Sequence, residues 1–244
     1  MTENTEKGYF KGLTRQDYVS RAYKIMERDG YKNISIRRLA SELGCSSAAL
    51  YRHFSDKDEL LYFVHLQTLE RYIKRLSKGM ETWANPWDIY VGVWDCYCTE
   101  AFSHIEAFDM LFFKNNNEIL AQAFKEYYEM FPGAITHTSE LFQTMLQSSD
   151  FIGRDYLMCQ RAEEAGVITH DNAKRLNRAV CMLYKGYFKT VQDGVDDNHT
   201  PDFWTKLCIA DIDLLVHSLA SDLKGYTNYY DRNGPSANID PNKL

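Results

Sequence analysis

Side chains that can donate hydrogen bonds to an anionic polymer are concentrated between residues 37 and 57. The donors are Arg37, Arg52, His53 and Lys57, with Tyr51 among them. Such groups bind the phosphate oxygens and the base edges of nucleic acids. Small serines and alanines in the same stretch would let another surface approach closely. The segment is therefore a candidate nucleic-acid contact.

A series of short helices is predicted to position these side chains. The predicted helices span Thr14–Asp29, with a Thr14 and Asp17 capping box, Ser35 to Gly44, Ser46–Phe54, and Ser55 with Asp58 to about Thr82. Two short helices joined by a tight turn that contains Gly44 are typical of a helix-turn-helix. An ordinary helical hairpin is the alternative. The residues left outside the third helix favour the first interpretation.

The stretch Ile34–Leu61, ISIRRLASELGCSSAALYRHFSDKDELL, resembles the DNA-binding domain of the tetracycline-repressor (TetR) family. The positions that match the family pattern are Ala40, Leu43, Gly44, Ser46, Ala49, Leu50, Tyr51, His53, Phe54, Lys57, Leu60 and Leu61. Cys45 departs from the family, which has a small apolar residue such as Val there. Ser47 is also shorter than in many relatives, so a target sequence cannot be transferred.

The resemblance implies a role in DNA binding for each residue of the reading segment. Arg37 would reach a base edge, and Tyr51, His53 and Lys57 would hold phosphates. The full set of expected DNA-binding residues is Arg37, Ser46, Ser47, Ala48, Ala49, Tyr51, Arg52, His53 and Lys57. For Tyr51 and His53, packing within the module is the alternative.

Charge is distributed unevenly along the chain of 244 residues, whose net charge is −6. Residues 1–78 hold 15 Lys and Arg against 10 Asp and Glu, and the remainder holds 13 against 24. The balances of +5 and −11 indicate a polyanion partner for the first part only, although a solvated face would also carry such an excess. We expect a cytoplasmic protein with reduced thiols and no membrane span, because the N-terminus is polar and the six cysteines are scattered.

The remaining chain predicts a larger helical domain, so the expected fold class is all-α. The expected divisions are a helix-turn-helix domain at 1–60, a ligand-binding and dimerisation domain at 61–225, and a disordered tail at 226–244. Asn85-Pro86 begins a helix that is apolar nearly all round and is predicted to be buried. Later helices are predicted over about 102–113, Glu118–Ser148 with a break at Pro132, Phe151–Ala165, 171–193, and from Thr200 through Leu219.

Aromatic residues are abundant in the central helices and predict either a plain core or a ligand pocket. The family resemblance implies a ligand inside this domain. The expected lining residues are Trp94, Tyr97, Glu100, His104, Tyr128, Phe131, His137 and Phe142. Aromatic walls and the acidic balance of the domain favour a cationic ligand over an anionic one, with Glu100 as its partner.

The last two helices each carry two apolar stripes, one for the core of the domain and one for a second surface. A two-fold axis would join two such hairpins into a four-helix bundle, and the resemblance implies the same homodimer. The expected interface residues are Leu176, Leu183, Tyr187, Ile212, Leu215 and Leu219. A wider core within one chain is the alternative.

Catalytic and metal-binding signatures are absent from the sequence. Phosphate-binding, dinucleotide, hydrolase and zinc-protease motifs do not occur, and Cys96 and Cys98 face different ways on a helix. Glu100 and His104 share a helix face, but the matching Glu-x-x-His pair of a di-iron site is missing. We therefore expect no metal, no cofactor and no enzymatic activity.

The predicted function is a ligand-responsive transcriptional regulator, a repressor that binds a pseudo-palindromic operator in double-stranded DNA as a homodimer. A small, mostly apolar or aromatic effector would release it. Two alternatives remain at this point. One is a DNA-bound structural or adaptor protein of the same fold without an effector, and the other is an all-α metal-dependent enzyme.

Overall fold

All regular secondary structure in the described part of the chain is helical, which confirms the predicted fold class. The computed structural model describes residues 12–114, 117–132, 145, 150–194 and 199–227. The chain divides into two units, one ending at Val64 and one beginning at His65. The predicted boundary at residue 60 lies four residues earlier, and both positions fall within one long helix.

The first two helices begin and end where their capping residues predict. Helix α1 spans Arg15–Asp29, its Thr14 and Asp17 form the predicted capping box, and Gly30 follows with φ of 85°. Helix α2 spans Ile36–Leu43 and is capped by the Ser35 side chain. Gly44 then adopts the left-handed conformation with φ of 65°, which disfavours any residue with a Cβ atom. The tight turn of the helix-turn-helix is therefore present.

The third helix is shorter than predicted. Helix α3 spans Ser47–Leu50 and does not continue to Phe54. The N–H groups of Arg52 and His53 donate to the carbonyls three residues earlier, at distances of 3.3 and 2.9 Å. These tighter bonds turn the chain, and Phe54 is buried with 1% of its surface exposed.

A long helix, α4, spans Lys57–Met80 and crosses the boundary between the units. The predicted cap, Ser55 with Asp58, lies one residue too early. The Asp56 carboxylate accepts the Glu59 N–H at 2.8 Å, so Asp56 caps the helix. The Glu59 carboxylate in turn accepts the N–H and the hydroxyl of Ser55.

The larger unit is built around a central buried helix. Helix α5 spans Pro86–Ser103 after the Asn85 cap, and most of its side chains are buried, as the pattern predicts. The other elements are α6 (Ile105–Asp109), a π-helical turn (Met110–Lys114), α7 (Asn117–Met130), α8 (Phe151–Glu164), α9 (His170–Gln192) and α10 (Pro201–Leu219). Of the predicted helix Glu118–Ser148, the first part is α7. Most of the rest lies outside the described residues.

The segment after α10 is attached to the larger unit. The Tyr226 hydroxyl donates to the buried Asp213 carboxylate, and the Trp87 indole N–H donates to the Asp222 carbonyl at 2.8 Å. The Asn85 amide donates to the Gly225 carbonyl at 2.8 Å. The predicted disordered tail from 226 is therefore wrong at Tyr226, while residues 228–244 lie outside the described part. Among the described residues, no helix is both long and apolar enough to cross a bilayer.

Candidate nucleic-acid interface and ligand cavity

The nine expected DNA-binding residues all lie at the surface of the N-terminal unit. Five of them are exposed, four are half-buried and none is buried. The exposed residues are Arg37, Ser46, Ala48, Tyr51 and Arg52. The half-buried residues are Ser47, Ala49, His53 and Lys57. Tyr51 has 53% of its surface exposed, a large value for an aromatic side chain. We call these nine residues the reading face.

The arginines around the reading face fall into two groups. Arg38 and Arg28 both pair with Asp29 and Glu42. Two of these pairs, Arg28 with Glu42 and Arg38 with Asp29, join α1 to α2. The described residues provide no ion pair for Arg37, Arg52 or Lys57. The positive charge of the reading face is therefore not neutralised within the part of the chain that the structure describes.

Two polar residues of the reading face also have structural contacts. The Ser46 hydroxyl accepts the Ala49 N–H at 3.2 Å and thereby caps α3. The centroid of the His53 ring lies 5.2 Å from that of the Tyr18 ring, so His53 packs partly within the unit.

Cys45, which departs from the family pattern, packs against α1. The Tyr18 hydroxyl donates to its Sγ atom at 3.7 Å. Burial, together with the neighbouring thiol, raises the pKa of Tyr18 to about 12. Tyr18 therefore stays neutral at physiological pH, and Cys45 fills the place of the small apolar residue.

A small cavity of about 50 Å³ lies within the larger unit. Its walls are aromatic, with two aliphatic and two charged side chains; the lining residues are Tyr72, Trp94, Tyr97, Phe112 and Phe151, then Val93 and Met145, and finally Arg154 and Asp155. Such a volume has room for a few water molecules. Apolar walls with a few polar groups are typical of ligand sites.

The two charged residues of the cavity have different partners. Asp155 accepts hydrogen bonds from the Trp94 indole at 2.8 Å, from the Asn177 amide at 2.9 Å, and from the Tyr90 hydroxyl at 3.3 Å. Burial raises the pKa of Asp155 to about 6, although these donors act in the opposite direction. Arg154 instead lies 4.5 Å from the Phe112 ring centroid. Sequence analysis missed both residues, because helical periodicity does not distinguish a buried charge from a surface one.

The expected ligand-binding residues are divided among three places. Trp94 and Tyr97 line the cavity. Tyr128 and Phe131 pack against Tyr127, with ring centroids 5.8 and 4.8 Å apart. His137 and Phe142 lie outside the described residues.

Glu100 and His104 do not line this cavity. Glu100 is buried and accepts from Arg75 Nε at 2.5 Å, while His104 lies 3.3 Å from Arg71 Nη1 and 3.7 Å from Glu100. The expectation that Glu100 holds a ligand cation there is therefore wrong. Its carboxylate already pairs with a cation of the protein. Within the described residues, no cluster of three or more His, Cys, Asp and Glu side chains could hold a metal.

The expected dimer-interface residues also divide. Leu176 and Ile212 have no exposed surface within a single chain, so they belong to the core and have no area to give to a partner. Leu183, Tyr187, Leu215 and Leu219 are half-buried. Two apolar side chains that sequence analysis missed are more exposed, namely Met182 at 52% and Leu214 at 65%. The apolar pattern therefore mixed core residues with surface residues of α9 and α10.

Comparison with known sequences finds relatives of the N-terminal unit. Residues 19–62 match the family model of bacterial regulatory proteins of the tetR family. The chain is similar to HTH-type transcriptional regulators of Staphylococcus aureus strains USA300 and NCTC 8325, each 33% identical over 75 residues. Those residues are 31% of this chain, and the chain spans 40% of the length of each relative. Residues 19–62 are thus similar to TetR-family helix-turn-helix domains, and the two relatives are named as transcriptional regulators.

Solved structures extend the similarity in fold to most of the chain. A protein with unknown function from Rhodococcus sp. RHA1 has a TM-score of 0.56 at 21% identity, covering 88% of this chain and 100% of its own. A TetR transcription regulator from Haloarcula marismortui gives 0.53 at 15%, covering 85% and 98%. SmeT, the repressor of the Stenotrophomonas maltophilia multidrug efflux pump SmeDEF, gives 0.51 at 12%, covering 89% and 95%. The predicted arrangement of a helix-turn-helix followed by a larger helical domain is confirmed.

Proposed function

We propose that this protein is a ligand-responsive transcriptional regulator of the TetR type, a repressor that binds its operator as a homodimer. The observation that carries the proposal is the reading face. It combines exposed Tyr51 with Arg37, Arg52 and Lys57, whose charges have no ion pair within the described residues. A protein surface that keeps such groups solvated and unpaired is suited to a polyanion.

The reading face would contact both the phosphate backbone and the base edges of DNA. Lys57 lies in the first turn of α4, where free N–H groups also favour a phosphate. Tyr51 at the end of α3 would donate to a second phosphate. Arg37 at the start of α2 would contact a base edge, and a bidentate pair with guanine is worth about 1–3 kcal/mol of discrimination.

Homodimerisation would place two reading faces on a pseudo-palindrome, with half-sites about 34–36 Å apart. The outer side of α10 supports a partner surface. Phe203, Ala210 and Leu214 recur there at helical spacing, and Leu214 is largely exposed. Met182 on α9 is a second exposed apolar side chain on the same helical pair. An apolar stripe of this kind is expected to be covered in the functional protein.

The response to an effector would act through α4. Tyr72 of this helix lines the cavity, and Lys57 is its first residue. An effector that binds one of two positions of α4 more tightly would shift the population towards it and weaken operator binding. The repressor role is supported by the fold shared with SmeT, which is itself described as a repressor.

A matched pair of neighbouring arginines tests the proposal. A labelled duplex from the DNA that flanks the gene of this protein is titrated with the wild type, Arg37→Ala and Arg38→Ala at fixed salt. Arg37→Ala is expected to weaken binding and to relax the preference at one base pair. Arg38 pairs with Asp29 and Glu42, so Arg38→Ala is expected to bind normally. Equal effects of the two substitutions, or no binding by the wild type, would contradict the proposal.

A further inference from the structure

Arg154 is a buried cation that packs against aromatic rings. Only 9% of its surface is exposed, and its guanidinium carbon lies 4.5 Å from the Phe112 ring centroid and 6.0 Å from that of Phe151. Among the described residues, no hydrogen bond or ion pair to the Arg154 guanidinium is found. Burial lowers the pKa of Arg154, but an arginine keeps its charge at neutral pH. The cavity therefore contains a positive charge and up to five N–H donors for which the described residues provide no acceptor.

Neighbouring carboxylates are already committed to other donors. The oxygens of Asp155 accept the Trp94, Asn177 and Tyr90 hydrogen bonds described above, and Asp155 makes no ion pair with Arg154. Asp150 caps α8, and its two oxygens accept the N–H groups of Ile152 and Gly153. Neither carboxylate neutralises the guanidinium, although Asp150 acts on it through space.

A second cation lies near the same aromatic wall. Lys185 Nζ is 5.7 Å from the centroid of Phe151, so this ring interacts with positive charges from both Lys185 and Arg154. A ligand cation would be repelled by this pair and would find no unused acceptor on Asp155. A ligand anion would supply the acceptors that Arg154 lacks.

We propose that the cavity binds a small organic carboxylate, aromatic or short aliphatic, whose carboxylate group accepts a forked pair of hydrogen bonds from Arg154. The inference rests on the proposed function, because it names the chemical class of the effector. The apolar body of the ligand packs between the aromatic walls, against Phe112 and Phe151. The cavity volume of about 50 Å³ is smaller than the roughly 150 Å³ that holds a benzene ring, so a short aliphatic acid fits as it stands. An acid of the size of benzoate requires the walls to move apart, and a steroid or a long acyl chain is too large.

The test is isothermal titration calorimetry on the full chain with propionate and benzoate, each compared with its primary amide. The amides keep the shape and lose the charge. A carboxylate is expected to bind the wild type at least about tenfold more tightly than its amide, the size of effect that a charged hydrogen bond provides. Arg154→Met is expected to abolish this preference, and Arg154→Lys to retain it in weaker form, since Lys keeps the charge but not the fork.

Arg161→Met is the matched control. Arg161 lies on the same helix and is exposed, so its loss removes the same charge without touching the cavity. Equal binding of acid and amide, a preference that survives Arg154→Met, or no binding of either acid at millimolar concentration would overturn the proposal. Operator binding is measured separately. Carboxylate binding without any DNA binding would support the anion site and refute the proposed function.

Discussion

At the scale of single residues, the account depends on which charged side chains are already paired. Sequence analysis found the reading face because the residue types and their order match a known pattern. It missed Arg154 and Asp155, because no local pattern distinguishes a buried charge from a solvated one. It also misplaced Glu100, since the sequence does not indicate that Arg75 is its partner. Pairing is a property of tertiary structure, and it decides which charges remain for a ligand.

Phosphate contacts on the reading face have a measurable salt signature. Tyr51→Ala and Lys57→Ala are each expected to weaken binding to specific and unspecific duplexes alike. Loss of one phosphate contact by Lys57 should reduce the slope of log affinity against log salt by about 1. Fluorescence anisotropy titrations at several salt concentrations measure this slope. An unchanged slope and affinity for both variants would remove Tyr51 and Lys57 from the interface.

Asp155 should make stability depend on pH. Because the pKa of Asp155 is raised to about 6, the folded protein binds this proton more tightly than the unfolded chain does. Its contribution to the free energy of unfolding is therefore most favourable at low pH and is lost as pH rises from about 4 to about 6. Urea unfolding should show the wild type losing up to about 3 kcal/mol relative to Asp155→Asn across this window. If the difference in unfolding free energy between the wild type and Asp155→Asn does not change with pH, the raised pKa of Asp155 is contradicted.

At the scale of helices, capping residues and apolar periodicity predicted most boundaries. Thr14, Ser35 and Asn85 cap the helices that they were expected to cap. The errors are at α3 and α4. The same Ser-Asp-Lys-Asp run offers several caps, and only the geometry of the turn before it selects Asp56. That turn depends on the burial of Phe54, which is a tertiary contact.

The two aspartates that flank Lys57, Asp56 and Asp58, test the observed start of α4. Asp56→Ala removes the cap of the Glu59 N–H and is expected to destabilise the protein by about 1 kcal/mol. Asp58→Ala removes the same charge from an exposed position in the first turn and is expected to cost less. Chemical denaturation of both variants measures the difference. A larger loss of stability from Asp58→Ala than from Asp56→Ala would instead support the predicted cap, Ser55 with Asp58.

At the scale of the whole molecule, residues 1–78 and the remaining chain carry opposite charge balances. The proposed assembly joins two copies through α9 and α10. The sequence predicts an interface on these two helices, because two apolar stripes are visible on each. It could not assign the stripes to core or partner, since an isolated helix gives no reference for inside and outside. The fully buried Leu176 and the exposed Leu214 define that reference in the folded chain.

Leu214→Glu is expected to dissociate the dimer while leaving each chain folded, because Leu214 is exposed in a single chain. Leu176→Asp should instead unfold the chain, since it buries an unpaired charge in the core. Lys174→Glu, at an exposed polar position on α9, is the control for added negative charge. Sedimentation velocity at micromolar concentration, with circular dichroism for folding, separates these outcomes. A wild-type monomer would refute the proposed assembly.

Selection of bound sites from a pool of random duplex DNA tests the central claim most directly. The full chain is incubated with the pool at near-physiological salt, and bound duplexes are enriched and sequenced. A dimeric regulator with two reading faces should enrich one site made of two inverted half-sites, their centres about one helical turn or a multiple of it apart. The same selection with Arg37→Ala should lose the preference at one position in each half-site. Enrichment of no sequence, or of a single site without inverted symmetry, would contradict the account.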